Sequence, residues 1–545
     1  MASEFPDIEP SQFDLIVVGT GLPESILAAA ASVAGKSVLH LDPAPFYGSH
    51  YASLPIDDFT SFLNSHQETS STLNESPSAD EESAFLTVGL QKRPLYSSVE
   101  ISSGDIGSLG RPRSFNLDLS GPRLLFCADS MVDMILRSSA SHHLEFKSVE
   151  ANCIWVGGEL KPVPDSRAAI FQDRSLGLMV KNRLMNFFKL VRGHFDSEGG
   201  ERISDEDMEK PFVQFLTEQG LPDNVKCIIL YAIAMVDYDQ DNAEAQNLIK
   251  TKDGIENLAL YNASSGRFSN TVGSFIYPLY GQGELPQSFC RCAAVKGAIY
   301  ILRMPVMEII CDKESRHYKG IKIASGQKLL SNHLVLDPSF TDPASAFNSP
   351  SYGQNNENQR SYVEVVDGVQ CIKQKVARAV CVTSKSLQSD LSNVLLVIPP
   401  KSLYPEQQVC IRALQLGSNL SVCPPDLFIV YISMLCDEAR QGKNAISAAM
   451  NALFMLPVSE SAENDTSLQS ESSESKEKPK LLWHAIHVQE LTQHKLTEGI
   501  VSCPMPDGKL DYRDILQSTR ELFQKMYPDD EFFPEVAATE NVEDD

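Results

Sequence analysis

A glycine turn near the amino terminus constrains the fold of this chain more than any other feature. An apolar run at 14–18 ends at Gly19 and Gly21, and Pro23 then precedes the helical pattern SILAAAASVA. A second apolar run, SVLHLD, follows at 37–42. A strand, a tight turn, a helix and a second strand make a βαβ unit, which opens a parallel sheet. The sequence therefore predicts an α/β fold with a Rossmann-type start.

The same turn lacks one part of the dinucleotide fingerprint. That fingerprint, GxGxxG, needs three glycines and an acidic residue about 20 positions further on. Gly19, Gly21 and Asp42 supply two glycines and the acid, but Glu24 stands where the third glycine belongs. A carboxylate in the first helical turn occupies the positive end of the helix dipole and repels a phosphate. We interpret the turn as vestigial, without a cofactor, and keep an FAD- or NAD-dependent oxidoreductase as an alternative.

The balance of charge excludes some classes of partner. The 545 residues include 46 Lys+Arg and 72 Asp+Glu, for a formal net charge of −26. Such an acidic chain argues against nucleic-acid binding and against a standing polybasic membrane anchor. No apolar run is long enough to span a bilayer, and the acidic amino terminus lacks the apolar stretch of a signal peptide. We therefore expect a cytosolic protein.

Hydrophobic periodicity predicts a sheet domain with a smaller helical domain inserted in it. Residues 180–195 and 221–236 have apolar side chains at spacings of three and four, as helices do, and short β-like runs return from about residue 270. Ser/Glu-rich and low-complexity stretches bury too little apolar surface to become ordered. The predicted order is domain I over 1–125, with a disordered insertion at 66–84; a mainly helical domain II over 126–262, with 151–164 as a domain I hairpin; domain I again over 263–458; a disordered insertion over 459–480; the final part of domain I over 481–527; and an acidic tail over 528–545.

No motif in the sequence requires catalysis by the chain itself. The P-loop pattern GxxxxGK[ST] is missing, and no serine or cysteine lies in a nucleophile-elbow context. His484 and His487 form an HxxH pattern without a neighbouring glutamate or a third ligand, so we expect no metal site. The 12 cysteines include no CxxC pair, which is typical of reduced, buried thiols. We interpret the chain as a non-catalytic binding protein.

Two longer blocks of the sequence resemble a known family. VVGTGLPES at 17–25, followed by HLDPAPFYGSHYAS at 40–53, resembles the first block of the Rab escort protein and GDP-dissociation inhibitor superfamily. PLYGQGELPQSF at 278–289 resembles a second block. GLPES and GQGELPQ, with the insertion at 66–84, are more similar to the escort proteins (the choroideraemia family) than to the inhibitors. The resemblance implies a flavoprotein-like, GDI-like sheet domain that carries no flavin.

The resemblance also implies partners. An escort protein binds newly made, GDP-bound Rab GTPases and presents them to Rab geranylgeranyltransferase, an α/β heterodimer. It then retains the Rab with its geranylgeranyl lipid and delivers it to membranes, so the resemblance implies transient membrane contact during vesicle-mediated transport. A GDP-dissociation inhibitor, which recycles Rabs that are already prenylated, is the nearest alternative.

Residue by residue, the resemblance implies two binding surfaces. Tyr47 matches the tyrosine of the family's Rab-binding platform, and Arg267 matches an arginine in the platform segment before the second block. Phe171 matches the phenylalanine by which escort proteins dock into the transferase α-subunit. Eleven positions on, where related animal proteins have an arginine, this chain has Asn182, with Arg183 next to it. An uncharged amide cannot make the bidentate contact of an arginine, so Arg183 is the candidate substitute.

Each of these residues also has a purely structural interpretation. Tyr47 could be a turn aromatic that covers the core, and Arg267 could pair with a surface carboxylate. Phe171 could be a core residue, because a lone phenylalanine is more often buried than part of an interface. The apolar stripe of 180–195 could be core or the wall of a lipid-accepting cleft between helices, and core is the default.

Overall fold

This computed structural model describes the residues that carry both predicted domains. They are residues 7–67, 85–102, 112–164, 167–172, 174, 176–195, 202–241, 247–340, 365–366, 369–370, 374–456, 478–492, 495–497 and 499–534. Of the predicted insertions and the acidic tail, 68–84, 459–477 and 535–545 lie outside the described residues. His66 and Gln67, at the start of the first predicted insertion, are the last two residues of a helix.

The described residues form strands and helices along the whole chain. The strands are β1 (Gln12–Val18), β2 (Val38–Asp42), β3 (Ser53–Leu54), β4 (Phe85–Gly89), β5 (Tyr96–Ile101), β6 (Leu117–Asp118), β7 (Leu125–Phe126), β8 (Phe146–Ser148), β9 (Ala151–Val156), β10 (Glu159–Pro162), β11 (Phe275–Pro278), β12 (Ile299–Leu302), β13 (Val306–Asp312), β14 (Tyr318–Ile323), β15 (Lys328–Leu336), β16 (Val365–Val366), β17 (Val369–Gln370), β18 (Lys375–Thr383), β19 (Val394–Ile398), β20 (Ile411–Gly417), β21 (Phe428–Cys436), β22 (Leu481–Glu490), β23 (Lys495–Thr497) and β24 (Ile500–Ser502). The helices are α1 (Leu22–Val33), α2 (Ile56–Gln67), α3 (Ser130–Arg137), α4 (Arg167–Gln172), α5 (Leu178–Phe195), α6 (Asp205–Glu209), α7 (Phe212–Glu218), α8 (Asp223–Cys227), α9 (Thr251–Ser264), α10 (Glu284–Val295), α11 (Ala439–Leu453) and α12 (Arg513–Met526).

The predicted βαβ start is confirmed, and it lies in a mixed sheet with the order β12-β2-β1-β15-β14-β13-β4. β1 runs parallel to β2 on one side and to β15 on the other, so Val18 pairs with both Leu41 and Leu336. α1 packs against β1 and against α10. The carboxyl ends of three parallel strands therefore meet beside Gly19, at the edge where open α/β sheets bind their ligands.

A second, mostly antiparallel sheet has the order β10-β9-β19-β20-β21-β18-β22-β5. Its side chains alternate between two cores, since Ala379 packs with α11 and Val380 packs with the opposite core, which includes side chains of α5. Strands β9 and β10 form a hairpin that pairs with β19 at one edge of this sheet. The α/β class is thus confirmed, and the domain boundaries stay a prediction.

Helices α4–α9 form a smaller helical part next to the second sheet. The apolar stripe predicted in α5 is core, because Leu184, Phe187 and Val191 are buried. Phe195, the last position of that predicted stripe, is instead 51% exposed. Among the described residues, no helix combines the length and the apolar composition that crossing a bilayer requires.

The helix predicted over 221–236 widens along its length. It begins as α8 and continues as a π-turn, Ile228–Ile233. Within this π-turn the backbone N–H of Ala234 donates to the carbonyl of Ile229 at 2.8 Å, one residue further than in an α-helix. Met235 follows with φ 56, a left-handed conformation that ends the helix. Short π-turns occur frequently at functional sites.

Two buried arginines join the sheets. The Arg378 guanidinium, on β18, donates to the carbonyls of Ser120, Gly121 and Asp507, each at 2.8 Å. Arg123 donates to the same Asp507 carbonyl at 2.8 Å. Asp507 lies in the segment between β24 of the first sheet and α12. Because each arginine has several donors in a fixed plane, the pair fixes this segment against the second sheet.

Candidate functional site

Asp42, at the end of β2, is engaged by the chain itself. One carboxylate oxygen accepts from the Thr20 hydroxyl at 2.7 Å, and the other accepts from the Ala44 N–H at 2.7 Å. The Thr20 hydroxyl oxygen in turn accepts from the Gly48 N–H at 2.9 Å. Burial raises the pKa of Asp42 to about 6. The acid that would accept ribose hydroxyls in a dinucleotide site therefore has a protein donor on each oxygen.

Glu24 fills the space at the amino end of α1. Its side chain is 1% exposed and lies so close to Gly21 that a Cβ on that glycine would overlap the carboxylate. Burial raises the pKa of Glu24 well above its usual value, and the nearby Asp337 raises it further. We expected a charged carboxylate to repel phosphate; a buried acid, which favours the neutral form, instead blocks phosphate by occupying its place. These residues do not fit a dinucleotide cofactor.

A buried contact between a histidine and an aspartate holds the third strand end, after β15. His50 Nε2 lies 3.3 Å from Asp337 Oδ1, which also accepts from the Ser339 N–H at 2.8 Å. The Ser49 hydroxyl donates to the other carboxylate oxygen, and His50 Nδ1 lies 2.8 Å from the Tyr96 hydroxyl. Burial alone would raise the pKa of Asp337, but His50 and these donors hold it well below its usual range. The strand-end acids thus fix the loop that follows β2.

The two blocks that resemble the family come together in space. Ser53, in the first block, accepts a hydrogen bond of 2.8 Å from the backbone N–H of Gly283, in the second block. The Ser53 hydroxyl donates at 2.6 Å to buried Asp118. On α1, Ser25 Oγ lies 3.3 Å from Cys290 Sγ of α10. The two blocks therefore form one continuous unit around α1 and α10.

Tyr47 lies half-buried in the loop after β2. Its ring centroid is 6.3 Å from that of Tyr300, on the edge strand β12. Burial raises the pKa of Tyr47, as does Cys290 of α10, whereas Arg291 lowers it. The side chain therefore lies beside α10 and β12, and part of its ring is accessible to a partner.

Arg267, which follows α9, makes a contact with α3. Its guanidinium lies 2.7 Å from an Asp133 oxygen and 5.6 Å from the centroid of the Phe268 ring. The surface ion pair that we considered for this arginine is thus present. Tyr47 lies in the loop after β2, whereas Arg267 follows α9. Among the described residues, no hydrogen bond or ring contact joins the two side chains.

The candidate transferase-docking residues lie on α4 and α5. Phe171 is 43% exposed, so the core interpretation of this side chain is wrong. Its carbonyl accepts from the Lys181 ammonium at 2.8 Å. Asn182 is exposed, whereas the Arg183 guanidinium donates to the Gly220 carbonyl at 2.8 Å, at the end of α7. Arg183 is therefore held by its own chain in this conformation.

Sequence reasoning missed two features near Phe171. Leu178 and Met179, at the start of α5, are 70% and 72% exposed and extend the apolar surface. A cavity of about 580 Å³ lies between α4, α5, the π-turn and α9, and Met185 and Phe188 of α5 line it. The sequence pattern that could have predicted the cavity is a second apolar stripe on α5, which contains Met185 and Phe188 and lies next to the buried stripe.

The HxxH pair does not form a metal site. His484 and His487 lie on strand β22, where an odd separation places side chains on opposite faces of the sheet. His487 is buried between the rings of Phe59 and Tyr96. Within the described part of the chain, no three His, Cys, Asp or Glu side chains are grouped so as to hold a metal ion.

Known proteins with a similar fold agree with this architecture. The crystal structure of a Rab GDP-dissociation inhibitor from Plasmodium falciparum has a TM-score of 0.67 and 18% identity, covering 96% of this chain and 99% of that one. An oxidoreductase from Methanosarcina mazei has a TM-score of 0.51 and 10% identity, covering 94% of this chain and 100% of that one. At these identities the two structures show the fold alone.

Sequence comparisons give the family. The GDP dissociation inhibitor family model matches residues 9–80 and 79–348, and the model of the C-terminal region of RAE1/2 domain I matches 376–508. Rab escort protein 1 of Arabidopsis thaliana is 50% identical over 97% of this chain and 95% of its own length. The human Rab proteins geranylgeranyltransferase component A 1 is 24% identical over 98% of this chain and 94% of its own length. The chain belongs to the GDP dissociation inhibitor family, among its Rab escort proteins.

Proposed function

We propose that this chain is an escort factor for Rab prenylation. It binds newly made, GDP-bound Rab GTPases, presents them to Rab geranylgeranyltransferase and delivers the prenylated Rab to membranes. The similarity to Rab escort protein 1 over 97% of the chain carries the proposal. The name of the human relative, a geranylgeranyltransferase component, supports the same partner. The chain would act in the cytosol and contact membranes transiently.

The chain acts in this process as an accessory component without chemistry of its own. Three strand-end or helix-start acids, Glu24, Asp42 and Asp337, are buried. Asp42 and Asp337 are engaged by protein donors, and Glu24 is packed over the glycine turn. Catalytic acids need a substrate within hydrogen-bond reach. This arrangement supports a binding role over an oxidoreductase.

Two surfaces carry the binding roles. Tyr47 and Arg267 contribute to Rab binding, from the loop after β2 and from the segment after α9. Phe171 anchors the transferase, because a partly exposed aromatic side chain can fill a pocket on a partner. Asn182 lies in the same docking surface, and Arg183 joins it only by releasing the Gly220 carbonyl.

The cavity beside α5 receives the geranylgeranyl chain of the bound Rab. Ile170, Met185, Phe188, Ile233 and Leu258 line it, and its volume of about 580 Å³ is in the range of small-molecule sites. Burial of apolar surface is the main source of affinity for an isoprenoid chain. Ile170, which precedes Phe171 on α4, is one of these lining residues.

Reconstituted prenylation tests the escort function. We expect the purified chain to support transfer of geranylgeranyl to a GDP-bound Rab by a transferase that is inactive without it. Phe171→Ala should abolish this support and leave Rab binding intact, whereas Met307→Ala, which truncates a 52% exposed side chain on β13, should change neither. Absence of transfer with every Rab tested would overturn the proposal.

A GDP-dissociation inhibitor is the second candidate, favoured by the uncharged Asn182 on the docking surface. Such a protein extracts prenylated Rabs from membranes and does not recruit the transferase. Capture of the transferase by the chain–Rab complex separates the two functions. Extraction of prenylated Rab without any capture would favour the inhibitor.

A further inference from the structure

The cavity beside α5 has a charge pattern that an uncharged lipid does not explain. Two of its lining side chains, Lys189 and Arg192, are cationic, and both are exposed. None of the lining residues is acidic, in a chain with 72 Asp+Glu and 46 Lys+Arg. Neither cation forms an ion pair with another described residue. The cavity is therefore apolar inside and positive at its rim.

The geometry of α5 produces this arrangement. Met185, Phe188, Lys189 and Arg192 follow one another at spacings that place them on one face of the helix. Met185 and Phe188 are partly buried, whereas the two cations are exposed, as expected for long side chains that keep their charge in water. One helix face thus supplies apolar contacts and positive charge to the same cavity.

The rim also carries uncharged donors. Asn186 of α5, Asn262 of α9 and Ser265 after α9 line the cavity and are exposed. By contrast, the larger cavity at the strand ends, of about 710 Å³, is lined by three acids, Asp42, Asp58 and Asp337, besides the two cations Lys92 and Arg303. Carboxylates repel anions, so the cavity beside α5 is the better phosphate site of the two.

A prenyl group attached to a protein through a thioether carries no charge, so the lipid of a bound Rab leaves Lys189 and Arg192 without a ligand. Lysine and arginine bind phosphate through charge-assisted hydrogen bonds. We propose that this cavity also binds a phosphate-bearing lipid, with the hydrocarbon chain inside and the phosphate on Lys189 and Arg192. The inference rests on the proposed role of the cavity as a lipid site.

Two sources supply this chemistry: a free isoprenyl diphosphate, and the anionic headgroups of a membrane. The first experiment compares geranylgeraniol with geranylgeranyl diphosphate as ligands of the full chain, by displacement of a fluorescent isoprenoid at low salt. We expect geranylgeranyl diphosphate to bind at least about tenfold more tightly than geranylgeraniol. Raising the salt concentration should narrow that difference, because these cations are exposed.

Paired substitutions test the two cations. In Lys189→Gln/Arg192→Gln the affinity for the alcohol should stay unchanged, and the preference for the diphosphate should disappear. In the control Lys313→Gln/Lys328→Gln, which removes two exposed cations from the sheet domain, the preference should persist. Equal binding of both probes by the unaltered chain, or an unchanged preference in Lys189→Gln/Arg192→Gln, would overturn the inference.

Vesicles distinguish the two sources. Co-sedimentation with phosphatidylcholine vesicles that contain phosphatidylserine, lost in Lys189→Gln/Arg192→Gln, assigns the phosphate to the membrane surface. Diphosphate preference without such co-sedimentation assigns it to the free lipid. If neither probe binds, the lipid role of the cavity is wrong, while prenylation of a Rab by the transferase in the presence of the chain would still uphold the escort function. Transfer without lipid binding thus separates failure of this inference from failure of the proposed function.

Discussion

The hydroxyl of Ser53 accepts a hydrogen bond of 2.8 Å from the backbone N–H of Gly283. The same hydroxyl donates to Asp118 at 2.6 Å, and Asp118 also accepts from the Gln282 N–H at 3.0 Å. Burial raises the pKa of Asp118 to about 6, even though these donors lower it. One serine thus joins β3 to the turn before α10, and its removal leaves two polar groups without that partner.

Ser53→Ala is therefore expected to lower the free energy of unfolding by about 1–3 kcal/mol, because the Gly283 N–H loses its acceptor and buried Asp118 loses one of its donors. Urea unfolding measures this change. Ser61→Ala is the matched control, because the Ser61 hydroxyl bonds only to the Asp57 carbonyl within α2, where water can replace it. Equal stability of the two variants would contradict the role given to Ser53.

Glu24 predicts a dependence of stability on pH. Its pKa in the folded chain lies well above the usual 4.5, because the side chain is buried. The folded state therefore binds more protons than the unfolded state above that value, and the free energy of unfolding falls as the pH rises through the folded pKa. Glu24→Gln keeps the side-chain volume and removes this titration.

We expect the free energy of unfolding of Glu24→Gln, measured relative to that of the unaltered chain, to be higher at about pH 8 than at about pH 5. Urea unfolding at both values measures the difference. Part of the pH dependence should remain, since the pKa of Asp42 is raised in the same direction. Glu314→Gln, at an exposed position, is the control. A Glu24→Gln curve parallel to that of the unaltered chain would show that Glu24 does not titrate as described.

Asn182→Arg should strengthen the capture of the transferase by the chain–Rab complex about tenfold, the value of one added charge-assisted contact. Surface plasmon resonance with immobilised transferase measures the affinity. Arg183→Ala tests the neighbouring side chain, which bonds to the Gly220 carbonyl instead. It should cost about 1 kcal/mol of stability and leave transferase binding unchanged. Loss of binding in Arg183→Ala would show that Arg183 is the docking arginine.

Arg378→Met should destabilise the chain by about 3 kcal/mol or more, since it removes the donor from the buried carbonyls of Ser120 and Gly121 and leaves the Asp507 carbonyl with Arg123 alone. The segment that contains Asp507 would then lose its link to β18. Arg440→Met, on the exposed side of α11, should have little effect. Thermal unfolding of both variants measures the contrast, and similar midpoints would disprove the link between the sheets.

Some of the fold follows from local sequence, and some cannot. The run from Gln12 to Asp42 contains its own strand, turn and helix signals, so the βαβ start was predictable. The pairing of Gln12 with Leu330 was not, because a partner strand far along the chain leaves no local pattern. The π-turn was missed for a related reason, since Ile228–Ile233 has an ordinary helical periodicity.

The candidate site divides in the same way. Glu24 could be identified as a departure from the fingerprint, but its neutral form is favoured by burial and by the charge of Asp337, which lies far along the chain. The exposure of Phe171 could not be read from its neighbours, because an apolar side chain has the same pattern in a core and in an interface. The cavity beside α5 required the packing of four elements.

Because Glu24 fills the glycine turn, the stability of this edge of the sheet does not depend on the supply of a dinucleotide cofactor. A protein that binds a cofactor only when folded gains stability by mass action, so its folded fraction follows the supply of that cofactor. Here the Glu24 side chain occupies the phosphate position, and Thr20 holds the acid at the end of β2. The loops at this edge are therefore completed by the polypeptide itself, so their folding does not depend on a dinucleotide bound there.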